Sequence, residues 1–219
     1  MRRALRIEVR FDFICPWCLI GLRNLQTAIA GLRAEAPGVE LELAWRGVQL
    51  LPEAPAAGWP FVEFYLRRLG GAAPMRARQQ LVMTAAEAAG VRIDYARIDI
   101  MPNTADAHRL LRHAAEQTSA EQCAALLERL LCAYFEDGAD LADGALLRRH
   151  ALACGIDPAP LAALALGADV PFDAAGDEPV TSVPAFRFGR ALALRGAQPA
   201  PVLLAALRTA LAADGGAPS

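Results

Sequence analysis

Apolar and polar residues alternate strictly at the start of the chain. Leu5, Ile7, Val9, Phe11 and Phe13 interleave with Arg6, Glu8, Arg10 and Asp12, and this period of two predicts a strand. The period then changes. Leu19, Leu22, Leu25, Ile29 and Leu32 recur at helical spacing, and Pro37-Gly38 closes the helix they predict. Val39, Leu41, Leu43 and Trp45 alternate again, giving a second strand. The three segments together read as a βαβ unit.

From about Trp59 to about Leu166 helical periods take over. Helices are predicted at about 60–70, 75–89, 104–117, 120–135, 143–153 and 158–166, with breaks at Gly70-Gly71, Gly90, Pro102-Asn103, Gly138, Gly155 and Gly167. Asp157-Pro158 reads as an N-cap followed by a first-turn proline. Strand signals return at Val183 to Phe188 and Ala191 to Arg195, and Gly189-Arg190 between them predicts a hairpin. Pro201 then opens an amphipathic helix through Val202, Leu203, Leu207 and Leu211. The expected organisation is a βαβ part over residues 1–58, an inserted helical domain over 59–175, and a closing hairpin and helix over 176–219.

Composition narrows the function classes. The chain has 219 residues, 55% of them hydrophobic, which is enough for a sizeable core and too apolar for disorder. All 22 basic residues are arginine and the formal charge is −2. That balance leaves no electrostatic footprint for nucleic acid or an anionic membrane, so neither is expected as a partner. The long Ala/Leu segments are interrupted by Arg, Asp and His, unlike a membrane span. The alternating charges of residues 6–12 are unlike the apolar run of a secretory signal, so a cytoplasmic location is expected. In that compartment the five cysteines are not expected to form a structural disulfide framework.

Cys15-Pro16-Trp17-Cys18 falls at the junction between the first strand and the first helix. Two intervening residues put both sulfurs on one turn, within disulfide reach. The first cysteine meets the unpaired N–H groups and the positive end of the helix dipole, which favour a thiolate. Pro16 fits the first turn, where its missing N–H costs nothing. Cys15 is the expected attacking thiolate and Cys18 the expected resolving thiol. A zinc site needs a second ligand pair at related spacing, and the chain has none, so no metal is expected. CxxC within a βαβ unit reads instead as a thioredoxin-like redox motif.

Asp12-Phe13-Ile14-Cys15-Pro16-Trp17-Cys18-Leu19-Ile20-Gly21 closely resembles the active-site segment of the DsbA family, in its FrnE-like branch. Pro102-Asn103-Thr104, Ala107-His108-Arg109-Leu110, Ala133-Tyr134-Phe135 with Gly138, Val183-Pro184-Ala185-Phe186 and Gly196-Ala197-Gln198 extend the likeness, in order, over nearly the whole chain. The resemblance implies an α/β, thioredoxin-like fold with a large inserted α-helical domain. It implies a thiol–disulfide oxidoreductase acting through the CPWC dithiol on a disulfide- or thiol-containing protein or small molecule. It needs no bound cofactor, with glutathione a candidate co-substrate and a second copy of the chain a candidate partner. It also places a cis Pro184 opposite the cysteine pair, where Val183 offers backbone groups to an extended substrate. Leu19, Thr181-Ser182 and Arg195 depart from the family pattern near the expected substrate groove. The alternative is a glutathione-dependent isomerase or transferase, resembling the 2-hydroxychromene-2-carboxylate isomerase and kappa-class glutathione transferase branch. Those relatives usually have Ser where Cys15 stands. A weaker third reading is a chaperone-like binder using the same groove.

Other candidates read as structural. Trp17 is expected on the exposed rim of the site as an apolar binding surface. Asn103-Thr104 is expected to cap the following helix, with a pocket-lining role implied by related isomerases. His108 and His113 fall on a polar face by spacing, with no catalytic role expected. His150 is expected in the core or as a charge at a helix C-terminus. Cys123 shares a stripe with Leu127, Leu130 and Tyr134 and reads as packing. Cys132 lies near Glu128 and Arg129, and Cys154, near a helix end, is a candidate reactive thiol.

Overall fold

The structure, a computed structural model, describes residues 4–156, 172, 182–190 and 192–215. In chain order its elements are β1 (Leu5–Phe11), α1 (Pro16–Glu35), β2 (Leu41–Gly47), β3 (Trp59–Pro60), α2 (Phe61–Leu69), α3 (Ala72–Ala88), a short 3-10 turn (Tyr95–Arg97), β4 (Ile100–Met101), α4 (Ala105–Gln117), α5 (Ala120–Asp137), α6 (Gly144–Ala153), β5 (Ala185–Phe188), β6 (Leu192–Arg195) and α7 (Ala200–Gly215). The helix expected at 158–166, its Asp157-Pro158 cap, and Thr181 lie outside the described residues.

β1 is the centre of the molecule. Its alternation buries Leu5, Ile7, Val9 and Phe11 completely or nearly so. The strands run in the order β2-β1-β5-β6. β2 is parallel to β1 with Leu5 opposite Leu41, and α1 makes the crossover that parallel pairing requires. β5 is antiparallel to β1, with Val9 opposite Phe186, and β6 completes a hairpin with β5. Leu22, Leu25, Ala28, Ile29 and Leu32 form the buried stripe of α1, and α7 packs along that helix through Leu203, Ala206, Leu207 and Ala210. A thioredoxin-like fold is thus assembled from the two ends of the chain. The helical insert lies between them in sequence; α4 packs on β2, while α3 and α5 reach α1.

The insert also carries a two-stranded sheet that the sequence pattern does not predict. Trp59 pairs with Met101 and Pro60 with Ile100. Strands of two residues are too short for a period of two to register.

Candidate active site

Cys15 is the N-cap of α1 and Pro16 its first residue. The loop into the helix is short. The Cys15 N–H donates to the Asp12 carbonyl at 3.2 Å, and the Cys18 N–H to the Cys15 carbonyl at 2.9 Å. Cys15 keeps 8% of its surface exposed and Cys18 none. The five cysteines are unbridged.

The two thiols are driven apart in acidity. A hydrogen bond from the Cys18 thiol lowers the Cys15 pKa most, and backbone N–H groups of Cys18 and Trp17 add to it, against burial and the charge of Asp12. Burial first, then Cys15 itself, pushes Cys18 well above an ordinary thiol. Cys15 is thus the more acidic thiol of the pair and Cys18 the less acidic.

Val183 and Pro184 stand directly opposite. The Val183–Pro184 peptide bond is cis. Cys15 Sγ lies 3.8 Å from the Val183 carbonyl oxygen, although 168 residues separate them in sequence. Gly21 of α1 makes that approach possible. A Cβ there would sit 3.0 Å from Pro184 Cγ and 3.1 Å from the Phe186 ring. Gln198, from the Gly-Ala-Gln segment, braces the same region, since its carbonyl accepts from Asn24 Nδ2 at 2.9 Å.

Trp17 differs from the expectation. It is half-buried, packed against Ile20 and Val82 where α1 meets α3, so it is part of the wall and not a projecting rim. The remaining cysteines are poor nucleophiles. Burial raises Cys123 to about 11 and Cys154 above an ordinary thiol, and burial together with Glu136 raises Cys132 to about 12. Thr104 is the N-cap of α4 but makes no side-chain cap bond; Asn103, one residue earlier, accepts the Ala105 N–H at 3.0 Å. It also spans two loops, donating to the Ala54 carbonyl at 2.6 Å and accepting from Gln49 Nε2 at 2.8 Å. His150 accepts from Arg129 Nε at 2.9 Å, and burial and Arg129 lower its pKa, which works against a charge at the α6 terminus.

His108 overturns its sequence reading. It is not on a polar face: its side chain has no exposure and its Nε2 lies 3.0 Å from Oδ1 of Asp12, itself fully buried. Asp12 Oδ2 accepts the Leu50 N–H at 2.7 Å. The ring is held between Phe13 and Phe172, with centroids 4.9 and 5.0 Å away. Its Nδ1 has no hydrogen-bond partner among the described residues. An N–H at Nε2 is placed to donate to the Asp12 carboxylate. The insert contributes aromatic groups as well. Phe61 packs against Tyr65 and Tyr95 with tilted rings, and burial raises both phenols, with the charge of Cys15 adding to the effect.

Comparisons with known proteins agree with this geometry. Among solved structures, a probable DsbA oxidoreductase from Streptomyces coelicolor is similar at 26% identity with a TM-score of 0.81, covering 98% of this chain and 92% of that one. A 2-hydroxychromene-2-carboxylate isomerase is similar in fold, at 15% identity, a TM-score of 0.61, and 98% and 100% coverage. So is the cytosolic disulfide reductase DsbM from Pseudomonas aeruginosa, solved with GSH, at 18% identity, a TM-score of 0.57, and 94% and 99% coverage. No curated protein matches the chain in sequence. The family profile described as DSBA-like thioredoxin domain matches residues 6–208, nearly the whole chain, and the protein belongs to that family.

Proposed function

We propose that the protein is a dithiol–disulfide oxidoreductase of the FrnE-like kind, with Cys15 as nucleophile and Cys18 as resolving thiol. The observation that carries this reading is the pairing of a partly exposed, acidified Cys15 at a helix start with a wholly buried, high-pKa Cys18 one turn on. A thiolate at Cys15 attacks a substrate disulfide, and Cys18 then displaces the substrate thiol from the mixed disulfide. Pro16 starts the helix, Trp17 walls the site, and the Val183 carbonyl beside Pro184 receives an extended substrate segment. The substrate is a disulfide- or thiol-containing protein or small molecule. Glutathione serves as co-substrate, a reading supported by a fold relative solved with GSH. A cytoplasmic location is part of the proposal, supported by the same relative's description as cytosolic. Among the described residues no helix is long and apolar enough to cross a membrane.

The isomerase fold relative sets the alternative. The deciding experiment runs insulin-disulfide reduction, driven by glutathione, beside glutathione conjugation of an electrophilic aromatic. Activity in the first assay that is lost on Cys15→Ser supports the proposal. Activity only in the second, kept by Cys15→Ser, assigns the isomerase or transferase reading.

A further inference from the structure

Tyr65, Arg78 and Tyr95 come from separate elements of the helical insert and gather at one place. Tyr65 lies on α2, Arg78 on α3 and Tyr95 in the 3-10 turn. Phe61, buried at the start of α2, packs against both phenol rings, with its centroid 4.8 Å from that of Tyr65 and 6.0 Å from that of Tyr95. The backbone at Tyr95 is held as well. Asp94 caps the turn by accepting the Ala96 N–H at 3.1 Å, and its own N–H donates to the Phe135 carbonyl at 2.8 Å. The charge of Arg78 acts on both phenols, and so does that of Cys15, which puts the cluster within Coulomb reach of the nucleophile. Arg68, over the Phe64 ring, adds a second positive charge at Tyr65.

The groups gathered here all donate. A guanidinium carries five N–H groups and no acceptor, and a phenol keeps its O–H at neutral pH. Among the described residues the Arg78 guanidinium makes no hydrogen bond or ion pair, and neither phenol hydroxyl has a hydrogen-bond partner. The cluster is open to solvent: Arg78 is exposed and both tyrosines are half-buried. Arg76, two residues earlier on α3, lines a different groove with Gln80, Met83 and Glu87.

We propose that Arg78, Tyr65 and Tyr95 form an anion subsite beside Cys15, which selects disulfide substrates carrying a carboxylate close to the reacting sulfurs. The inference rests on the dithiol reading above and names its substrate class. An ionised carboxylate offers acceptors only, which is what a cluster of donors lacks. The guanidinium fork can take both of its oxygens, and the hydroxyls their remaining lone pairs. An anionic disulfide is otherwise repelled by the Cys15 thiolate, and the positive charge of Arg78 offsets that repulsion. The subsite makes and breaks no covalent bond. It holds the substrate disulfide next to Cys15, and the exchange then proceeds as described.

Three small symmetric disulfides test this: dithiodiglycolate, which is a dianion, the neutral bis(2-hydroxyethyl) disulfide, and cystamine, which is a dication. Reduced protein is mixed with each, quenched in acid, and the oxidised fraction followed by mass spectrometry. Each rate is divided by that of the same disulfide with 2-mercaptoethanol, which removes intrinsic reactivity. The wild type is expected to prefer dithiodiglycolate to the neutral disulfide by about tenfold, the size of one charge-assisted hydrogen bond. Arg78→Ala abolishes that preference, and Arg78→Glu turns it towards cystamine. Tyr65→Phe and Tyr95→Phe each reduce it by about threefold. Arg76→Ala makes the same change in net charge outside the cluster and keeps the wild-type preference. If Arg78→Ala does not fold, Arg78→Gln, which keeps most of the stem, answers the same question. A wild type that does not favour the dianion, or a preference that survives loss of the Arg78 charge, overturns the inference. So does an equal loss in Arg76→Ala, which makes net charge the cause. Full preference in both phenylalanine variants overturns the part given to the phenols. Failure of all three disulfides to oxidise the wild-type Cys15 and Cys18 refutes the dithiol reading itself, which is a different outcome.

Discussion

Gly47→Ala tests the site through a residue that carries no chemistry. Gly47 is the last residue of β2 and pairs with Phe11 in register. A Cβ added there would overlap His108 Nδ1 and stand 2.9 Å from Cγ and 3.1 Å from Cε1 of the same ring. The ring has little room to retreat, since Phe172 stacks on it, Phe13 packs against it at a tilt and Asp12 lies 3.0 Å from Nε2. Two relaxations are open. Either the imidazole moves and its bond to the buried carboxylate breaks, or β2 shifts and the packing beside β1 opens. The first removes a hydrogen bond to a charged group, about 1.5–3 kcal/mol. The second is overpacking, about 1–3 kcal/mol. The cheaper relaxation sets the expected loss, about 1–3 kcal/mol. Against a typical total of about 5–15 kcal/mol, urea denaturation resolves this clearly. Gly31→Ala is the control. Its Cβ would meet only Leu204, at 3.4 Å, and the helix interior gains about 0.5–1 kcal/mol from losing a glycine. If Gly47→Ala unfolds within about 1 kcal/mol of the wild type, below either relaxation estimate, the packing account of His108 is wrong.

Alkylation of the reduced protein at mildly acidic pH is expected to label Cys15 first, as its lowered pKa keeps a thiolate present below the ordinary thiol range; peptide mapping that finds Cys123 or Cys132 labelled ahead of it contradicts the assignment. Cys18→Ser is expected to trap a mixed disulfide on Cys15 that denaturing, non-reducing mass spectrometry detects, because the resolving step is gone. Reduced protein is expected to lose stability as pH rises above about 9, the ordinary thiol range. The folded pKa of Cys123 is raised to about 11, so its contribution is full below the unfolded pKa and is lost as pH climbs through the folded one. Cys123→Ala should flatten that part of the pH–stability curve. Gly21→Ala should destabilise by about 1–3 kcal/mol and lower disulfide turnover, since its Cβ would press on Pro184 and Phe186.

The placement of Cys15 and Cys18 at the start of α1 was legible because a strand period ends and a helical period begins on either side of the CxxC. The placement of Pro184 required the family likeness, since no local pattern joins residue 184 to residue 15. Asp12 and His108 were misread for a related reason. Asp12 continues the polar positions Arg6, Glu8 and Arg10, yet the strand ends at Phe11 and the chain turns inward, so Asp12 and Phe13 are both buried. His108 lies at the border of an apolar stripe made by Ala107, Leu110, Leu111 and Ala114. A helical wheel leaves that position undecided; what settles it is the buried carboxylate across the interface. The aromatic groups of the insert, Tyr65 and Tyr95, were missed because nothing in their own segments indicates which face of the insert meets the thiol.

The arrangement of β1 between β2 and β5 has a consequence for the order in which the chain matures. β1, α1 and β2 close over short loops and can form as soon as they leave the ribosome. The other neighbour of β1 is at the far end of the chain, and Val183 with it. Closing so long a loop awaits the synthesis of β5. Until then Cys15 heads a helix open to water with no opposing carbonyl, and Cys18 lacks the burial that separates its acidity from that of Cys15. Premature termination before the final hairpin therefore leaves two neighbouring thiols with little of the division of labour that the finished protein gives them.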